Sequence, residues 1–127
     1  MEIKSNELRR GNLLLEGSEI LKVGNICENG FDFVYKNGCR FVEYVDVKPI
    51  ELTEELLLKC GFVKSESDPD NAWLNLKYRF LNFSSDESVG FKNVYLMLGK
   101  TEIIVEYLHQ LQNLYFALTQ TELQITL

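Results

Sequence analysis

The chain has 127 residues, of which 46% are hydrophobic, 12% aromatic and 25% charged. That length and composition suit one compact domain or two small subdomains with a real hydrophobic core, which excludes disorder as the dominant state. Net charge is −6 and unevenly placed: residues 1–50 carry seven basic and eight acidic side chains, residues 51–127 six and eleven. Arg9-Arg10 is the one adjacent basic pair, so the Lys/Arg clusters that neutralise phosphates are missing and general nucleic-acid binding is disfavoured.

The first fifty residues read as an antiparallel β-meander. Leu13-Leu14-Leu15, a turn at Glu16-Gly17-Ser18 and the segment from Ile20 to Cys27 open it. Asn29-Gly30 and Asn37-Gly38 follow, and Asn-Gly is the strongest short hairpin signal because a type I′ turn needs positive φ at both central residues. A turn centred on Asn37-Gly38 sets Lys36 opposite Cys39, Tyr35 opposite Arg40 and Phe33 opposite Val42. Strand alternation then gathers Phe31, Phe33, Tyr35, Val42 and Tyr44 on one face and leaves Val34, Phe41 and Val45 on the other. With apolar residues on both faces, a strongly curled sheet or small SH3-like barrel is expected. Gly24 interrupts the second strand as a candidate bulge, and Pro49 marks the exit from the meander.

Thr53 has the chemistry of a helix N-cap, followed by Glu54 and Glu55 where the helix dipole favours them. Leu56, Leu57, Leu58 and Cys60 give the apolar side, and Gly61 stands where a left-handed residue ends a helix. This short helix links the two halves, 1–50 and 51–127, which are expected to pack together as one compact unit. After the polar segment 65–71, residues 73–83 alternate: Leu74, Leu76, Tyr78 and Phe80 lie opposite Asn75, Lys77 and Arg79, as in one half-buried strand. Val94–Leu98 and Thr101–Glu106 pair across Gly99-Lys100. The fold class expected is therefore α+β: an N-terminal antiparallel β-meander or small SH3-like barrel, a short linking helix, then a strand, a hairpin and a C-terminal helix, with a short last strand over 122–127.

Asp68, Asp70, Asp86 and Glu87 are hard oxygen donors of the kind calcium takes. A continuous strand of about eleven residues would hold the two acidic loops over ~30 Å apart, and neither loop has EF-hand spacing, so no metal site is expected. Cys27, Cys39 and Cys60 lack metal-ligand spacing and read as small buried thiols. His109 is the sole histidine, and nothing at fixed spacing supplies it with a catalytic partner. No catalytic residue and no cofactor is expected. The opening Met1–Asn6 lacks the apolar core of a secretion signal, and no apolar run is long enough to cross a bilayer. A cytoplasmic protein without membrane association follows.

The segment Tyr107–Leu118 is a helix of unusual composition. Tyr107, Leu108, Leu111, Leu114, Tyr115 and Leu118 form a wide apolar stripe at helical spacing. His109, Gln110, Gln112, Asn113 and Phe116 make up the rest, with no charged residue from 107 to 118. Amides and an imidazole in that setting either satisfy backbone groups within the fold or form a binding face beside an aromatic.

Three blocks carry a resemblance. Glu7-Leu8-Arg9-Arg10-Gly11-Asn12 is similar to an E-L-R-x-G-N opening, and Pro49–Glu55 running on to Gly61-Phe62 to a P-I-x-L-T-E-E…G-F segment. His109–Thr119 matches H-Q-L-Q-N-L-Y-F-A-L-T. Together they resemble a family of small uncharacterised proteins common in Bacteroides-type genomes, often within phage or other mobile-element regions. That family usually has Gly after the last Thr, where this chain has Gln120, which takes left-handed geometry only at some cost, so the helix stop is placed only to within a residue or two. The resemblance implies a mobile-element accessory protein and supplies no catalytic residues.

Two functions compete. The first is a non-enzymatic protein-interaction module, binding a protein partner through His109, Gln110, Gln112, Asn113 and Phe116 or through the aromatic side of the first half. The alternative is a nucleic-acid-binding accessory factor presenting Arg9, Arg10, Lys22 and Arg40 from the barrel-like half.

Overall fold

The computed structural model describes residues 3–67, 72–75, 82–86, 92–98 and 100–126. Over these residues the architecture is mixed α+β, built from antiparallel hairpins, one larger antiparallel sheet and two α-helices. It divides into two compact units: Met1–Glu51 with Tyr107–Leu114, and Leu52–Glu106 with Tyr115–Leu127. The first half of the C-terminal helix thus belongs with the N-terminal residues, not with the second half of the chain.

In the first unit, β1 (Leu13–Glu16) and β2 (Glu19–Lys22) pair with Leu14 opposite Leu21 and Leu15 opposite Ile20. Gly17 turns the chain between them at φ +60, a conformation that glycine adopts without a Cβ penalty. A second hairpin joins β3 (Gly30–Tyr35) to β4 (Gly38–Glu43). The two hairpins are separate two-stranded sheets, linked where Gly24 N–H donates to the Asp32 carbonyl (2.8 Å) and Asp32 N–H to the Asn25 carbonyl (3.0 Å). The sheet does not close, and the SH3-like barrel is not formed. Gly24 lies past the end of β2; a Cβ there would stand 2.5 Å from an Asp32 carboxylate oxygen, so the glycine serves the close approach of this segment to β3.

The β3–β4 register differs from expectation by two residues. Tyr35 faces Gly38, Phe33 faces Arg40 and Phe31 faces Val42, so the turn is Lys36-Asn37 and Lys36 takes φ +55. A slip of two leaves every side chain on its original face. Phe31, Phe33, Val42 and Tyr44 are buried accordingly, together with Ile3, Leu14, Leu21 and Val23. Packing selects this register over the turn preference. It sets Phe41 diagonal to Gly30, with the ring tip 2.8 Å from where a Gly30 Cβ would lie, so the aromatic ring covers the glycine.

The second unit starts with α1 (Glu54–Lys59), capped by Thr53 Oγ1 accepting from Leu56 N–H at 3.1 Å. Gly61 ends it at φ +85. A strand absent from the sequence reading follows at once: β5 (Phe62–Lys64), with β6 (Ala72–Asn75), β7 (Asn82–Asp86), β8 (Lys92–Leu98) and β9 (Thr101–Ile104), builds a five-stranded antiparallel sheet in sequential order. Residues 73–83 are therefore not one strand. β6 and β7 are antiparallel neighbours with Trp73 opposite Phe83, and both rings are buried, Phe83 also edge-on to Phe62 at 5.4 Å. Inward-facing Trp73 and Asn75 reverse the face expected from Leu74.

The broken strand also removes the distance argument against a shared calcium site, since Ala72 pairs with Ser84. Asp68, Asp70 and Glu87 lie outside the described residues, and among those described no group of three His, Cys, Asp or Glu could hold a metal. The Gly99 turn and most of the expected Leu76–Phe80 alternation also lie outside them.

The C-terminal helix α2 spans Leu108–Thr119. Gln120 ends it in the left-handed region (φ +59), its N–H donating to the Phe116 carbonyl at 2.8 Å. Residues 122–126 form no strand, although Leu123 is buried and Thr126 N–H donates to the Lys59 carbonyl. Of the three thiols only Cys60 is buried; Cys27 and Cys39 are exposed, because Cys39 faces Val34 on the outer side of an open hairpin. Among the described residues no helix is long and apolar enough to cross a membrane.

Two substitutions check the local chemistry in urea unfolding. Thr53→Ala should lower the unfolding free energy by about 1 kcal/mol through loss of the cap, whereas Lys36→Gly should raise it by up to about 1 kcal/mol by relieving the left-handed residue.

Candidate functional site

The loop that opens the chain is shaped by its own residues. After a 3₁₀ turn at Ser5–Glu7, Asn12 Oδ1 accepts from Arg9 N–H (2.7 Å) and Asn12 N–H donates to the Arg9 carbonyl (3.1 Å), closing a tight turn. Gly11 supplies the φ of +97 that the reversal needs. Its N–H donates to the Val23 carbonyl, which fixes the loop to the end of β2.

His109, Gln112 and Asn113 stand at i, i+3 and i+4 of α2 and so project from one face. That face meets the loop. Asn113 Oδ1 accepts from Asn12 Nδ2 (2.8 Å) and Arg9 Nη1 (3.1 Å), and Asn113 Nδ2 donates to the Glu7 carbonyl (3.0 Å). Gln112 Oε1 accepts from Leu13 N–H (2.9 Å) while its Nε2 donates to the Gly11 carbonyl (3.1 Å). The Gln112 amide thereby bonds the backbone two residues apart, as a neighbouring strand would. Leu15 N–H, next along β1, donates to the Lys48 carbonyl at 2.9 Å. The outer edge of β1 is closed by these two contacts.

His109 is fully buried, its ring stacked on Tyr107 at 6.0 Å with a 10° interplanar angle. Nε2 lies 3.8 Å from a Glu7 carboxylate oxygen, too far for a hydrogen bond, and among the described residues neither ring nitrogen has a hydrogen-bond partner. Burial pushes the imidazole pKa down, and the Glu7 charge opposes that only in part. His109 is accordingly neutral near neutral pH.

The remaining candidates are distributed. Gln110 Oε1 accepts from Tyr107 N–H (3.1 Å), which caps the start of its own helix. Phe116 is half-buried and belongs to the second unit. Of the basic set, Arg9 is engaged by Asn113, and Arg40 lies over the Phe33 and Tyr35 rings at 5.5 and 4.8 Å. Arg10 and Lys22 are exposed. Burial raises the Cys60 pKa to about 12, which keeps that thiol protonated. The second unit also holds a cleft of about 530 Å³, whose lining includes Leu58, Lys59, Cys60, Tyr115, Glu122 and Leu123; its one thiol is the protonated Cys60.

The surface that sequence reasoning did not select is the outer side of the second hairpin. Val34 and Phe41 there are 80% and 51% exposed, and Val45, in the 3₁₀ turn Tyr44–Asp46 that follows β4, is 70% exposed. Alternation had assigned them to a face of their own, but the expectation of a curled sheet led to both faces being covered. No protein-family model matches the chain, and neither a curated protein nor a solved structure matches it.

His109 gives a pH test with a fixed sign. Its folded pKa lies below the ordinary 6.5, so the unfolded chain binds more protons as pH falls. This contribution is fully present above pH ~6.5 and is lost as pH drops below it. The unfolding free energy should therefore decline from pH 7 to pH 5, and His109→Phe should flatten that slope in denaturant titrations run at each pH.

Proposed function

We propose that the chain is a protein-interaction module that binds a partner through the outer face of the β3–β4 hairpin. We propose further that it acts in the cytoplasm as an accessory protein of a phage or other mobile element. The observation that carries the first statement is the exposure of Val34 and Phe41 on the hairpin, with exposed Val45 in the 3₁₀ turn directly after β4. Exposed apolar residues gathered on one element, unlike singly scattered ones, are the usual mark of a contact surface. The aromatic side of the hairpin is occupied as core, and the amides of α2 are engaged by the N-terminal loop, so neither competes for that role. The mobile-element origin rests on the resemblance of the Glu7–Asn12 and His109–Thr119 blocks.

One observation favours a nucleic-acid-binding accessory factor as the second reading. Lys36 and Arg40 both lie over the Tyr35 ring, at 5.3 and 4.8 Å, and cations with an aromatic can track a single strand. Against it stand the overall charge of −6 and the internal engagement of Arg9.

Affinity capture from the native host, with wild-type chain and a Val34→Glu/Val45→Glu variant side by side, separates the two. Both valines are exposed, so the variant should keep the wild-type far-ultraviolet circular dichroism. A protein partner recovered by wild type should fall at least ~10-fold with the variant. Equal recovery by the two would remove this face from consideration. Recovery of nucleic acid that is lost on raising salt would favour the second reading.

A further inference from the structure

β4 is an edge strand with an open side. In an antiparallel hairpin closed by a two-residue turn, the pair flanking the turn is hydrogen-bonded and every second pair after it. Here those pairs are Tyr35–Gly38, Phe33–Arg40 and Phe31–Val42. The N–H and C=O groups of Cys39, Phe41 and Glu43 consequently point away from β3. On β3 the Gly30 carbonyl is taken by Cys27 N–H, and Asp32 by Gly24 and Asn25, which leaves only the Val34 groups beside the turn and the Gly30 N–H without a backbone partner among the described residues. Those of Cys39, Phe41 and Glu43 have no backbone partner among the described residues. β4 also lacks the proline or bulge that commonly blunts such an edge. The Phe41 ring does not shield it, since it lies back over Gly30 toward β3.

The strand carries a charge gradient. Lys36 in the turn before it and Arg40 within it are basic, whereas Glu43 at its end and Asp46 in the 3₁₀ turn that follows are acidic. Two such strands laid antiparallel bring the basic start of each beside the acidic end of the other, whereas parallel alignment sets like beside like. Phe41 is the middle of the three outward residues, so a two-fold axis there uses all of them: Phe41 meets its own copy, and Cys39 meets Glu43 of the other chain. We propose that a second copy of this chain pairs along β4 in that register, giving a four-stranded sheet β3-β4-β4-β3. The contact is isologous, as two-fold dimers require. It rests on the reading of this hairpin as an interaction element, and it sets two outer faces side by side, doubling the area offered by Val34 and Phe41.

Sedimentation velocity of the full chain tests this, from about 1 to about 100 μM, in the micromolar range typical of weak edge contacts. A reductant excludes disulfides through the exposed Cys27 and Cys39. A concentration-dependent dimer is expected. Cys39→Pro removes an outward N–H without touching a bond to β3 and should weaken the dimer at least ~10-fold. Lys36→Glu should weaken it as well, and Lys36→Glu/Asp46→Lys should restore it; this pair decides the matter if the proline variant does not fold. A monomer throughout the range, or a dimer indifferent to all these changes, overturns the proposal. A monomer whose capture of a partner still depends on Val34 and Val45 would overturn the dimer alone and leave the interaction surface standing.

Discussion

Two side-chain amides, adjacent in sequence, hold the N-terminal loop of this protein to its C-terminal helix. Gln112 and Asn113 make five hydrogen bonds to residues between Glu7 and Leu13. Each is worth on the order of 1 kcal/mol net, but their placement matters more than their sum. The Glu7–Leu13 segment is irregular backbone, and buried irregular backbone is tolerated only when its polar groups find partners. The Nδ2 of fully buried Asn12 and the outward N–H of Leu13 find their acceptors on α2, so the first hairpin is completed by residues about a hundred positions downstream.

That dependence explains the uncharged composition of α2. A helix surface normally carries Lys and Glu because it faces water. The 109/112/113 face of α2 meets backbone, and amides can donate and accept at once where a charge would have to be desolvated. His109 completes the stripe as a neutral, buried ring stacked on Tyr107. The 109/112/113 face of the helix is thus spent within the fold, and contact with others is proposed for the outer face and open edge of the β3–β4 hairpin instead.

What was legible in the sequence divides along a physical line. Local chemistry read correctly: the Thr53 cap, the stop at Gly61, the turn at Gly17 and the two faces of the β3–β4 hairpin all depend on residues a few positions apart. Features decided by packing at a distance did not. The Asn37-Gly38 signal lost to the seating of Phe41 over Gly30, and Lys36 took the left-handed position instead. The alternation through 73–83 concealed a reversal, because Trp73 and Phe83 face the same core from neighbouring strands. The amides of α2 stood out in the sequence as unusual, yet whether they pointed inward could not be read without knowing that the Glu7–Asn12 loop lay opposite. The exposed valines were on the correct face, and only the assumption of a closed sheet hid them.

Gln112 acts as the missing neighbour of β1. Native-state hydrogen exchange at the Leu13 amide reads this directly, since that N–H points out of the hairpin and has Gln112 Oε1 as its acceptor. Leu13 should be protected in the wild-type chain and exchange at least ~10-fold faster in Gln112→Ala, with the amides of the Phe31–Val42 ladder little changed. A Leu13 amide that exchanges freely in the wild type, or that is equally protected in the variant, would contradict it.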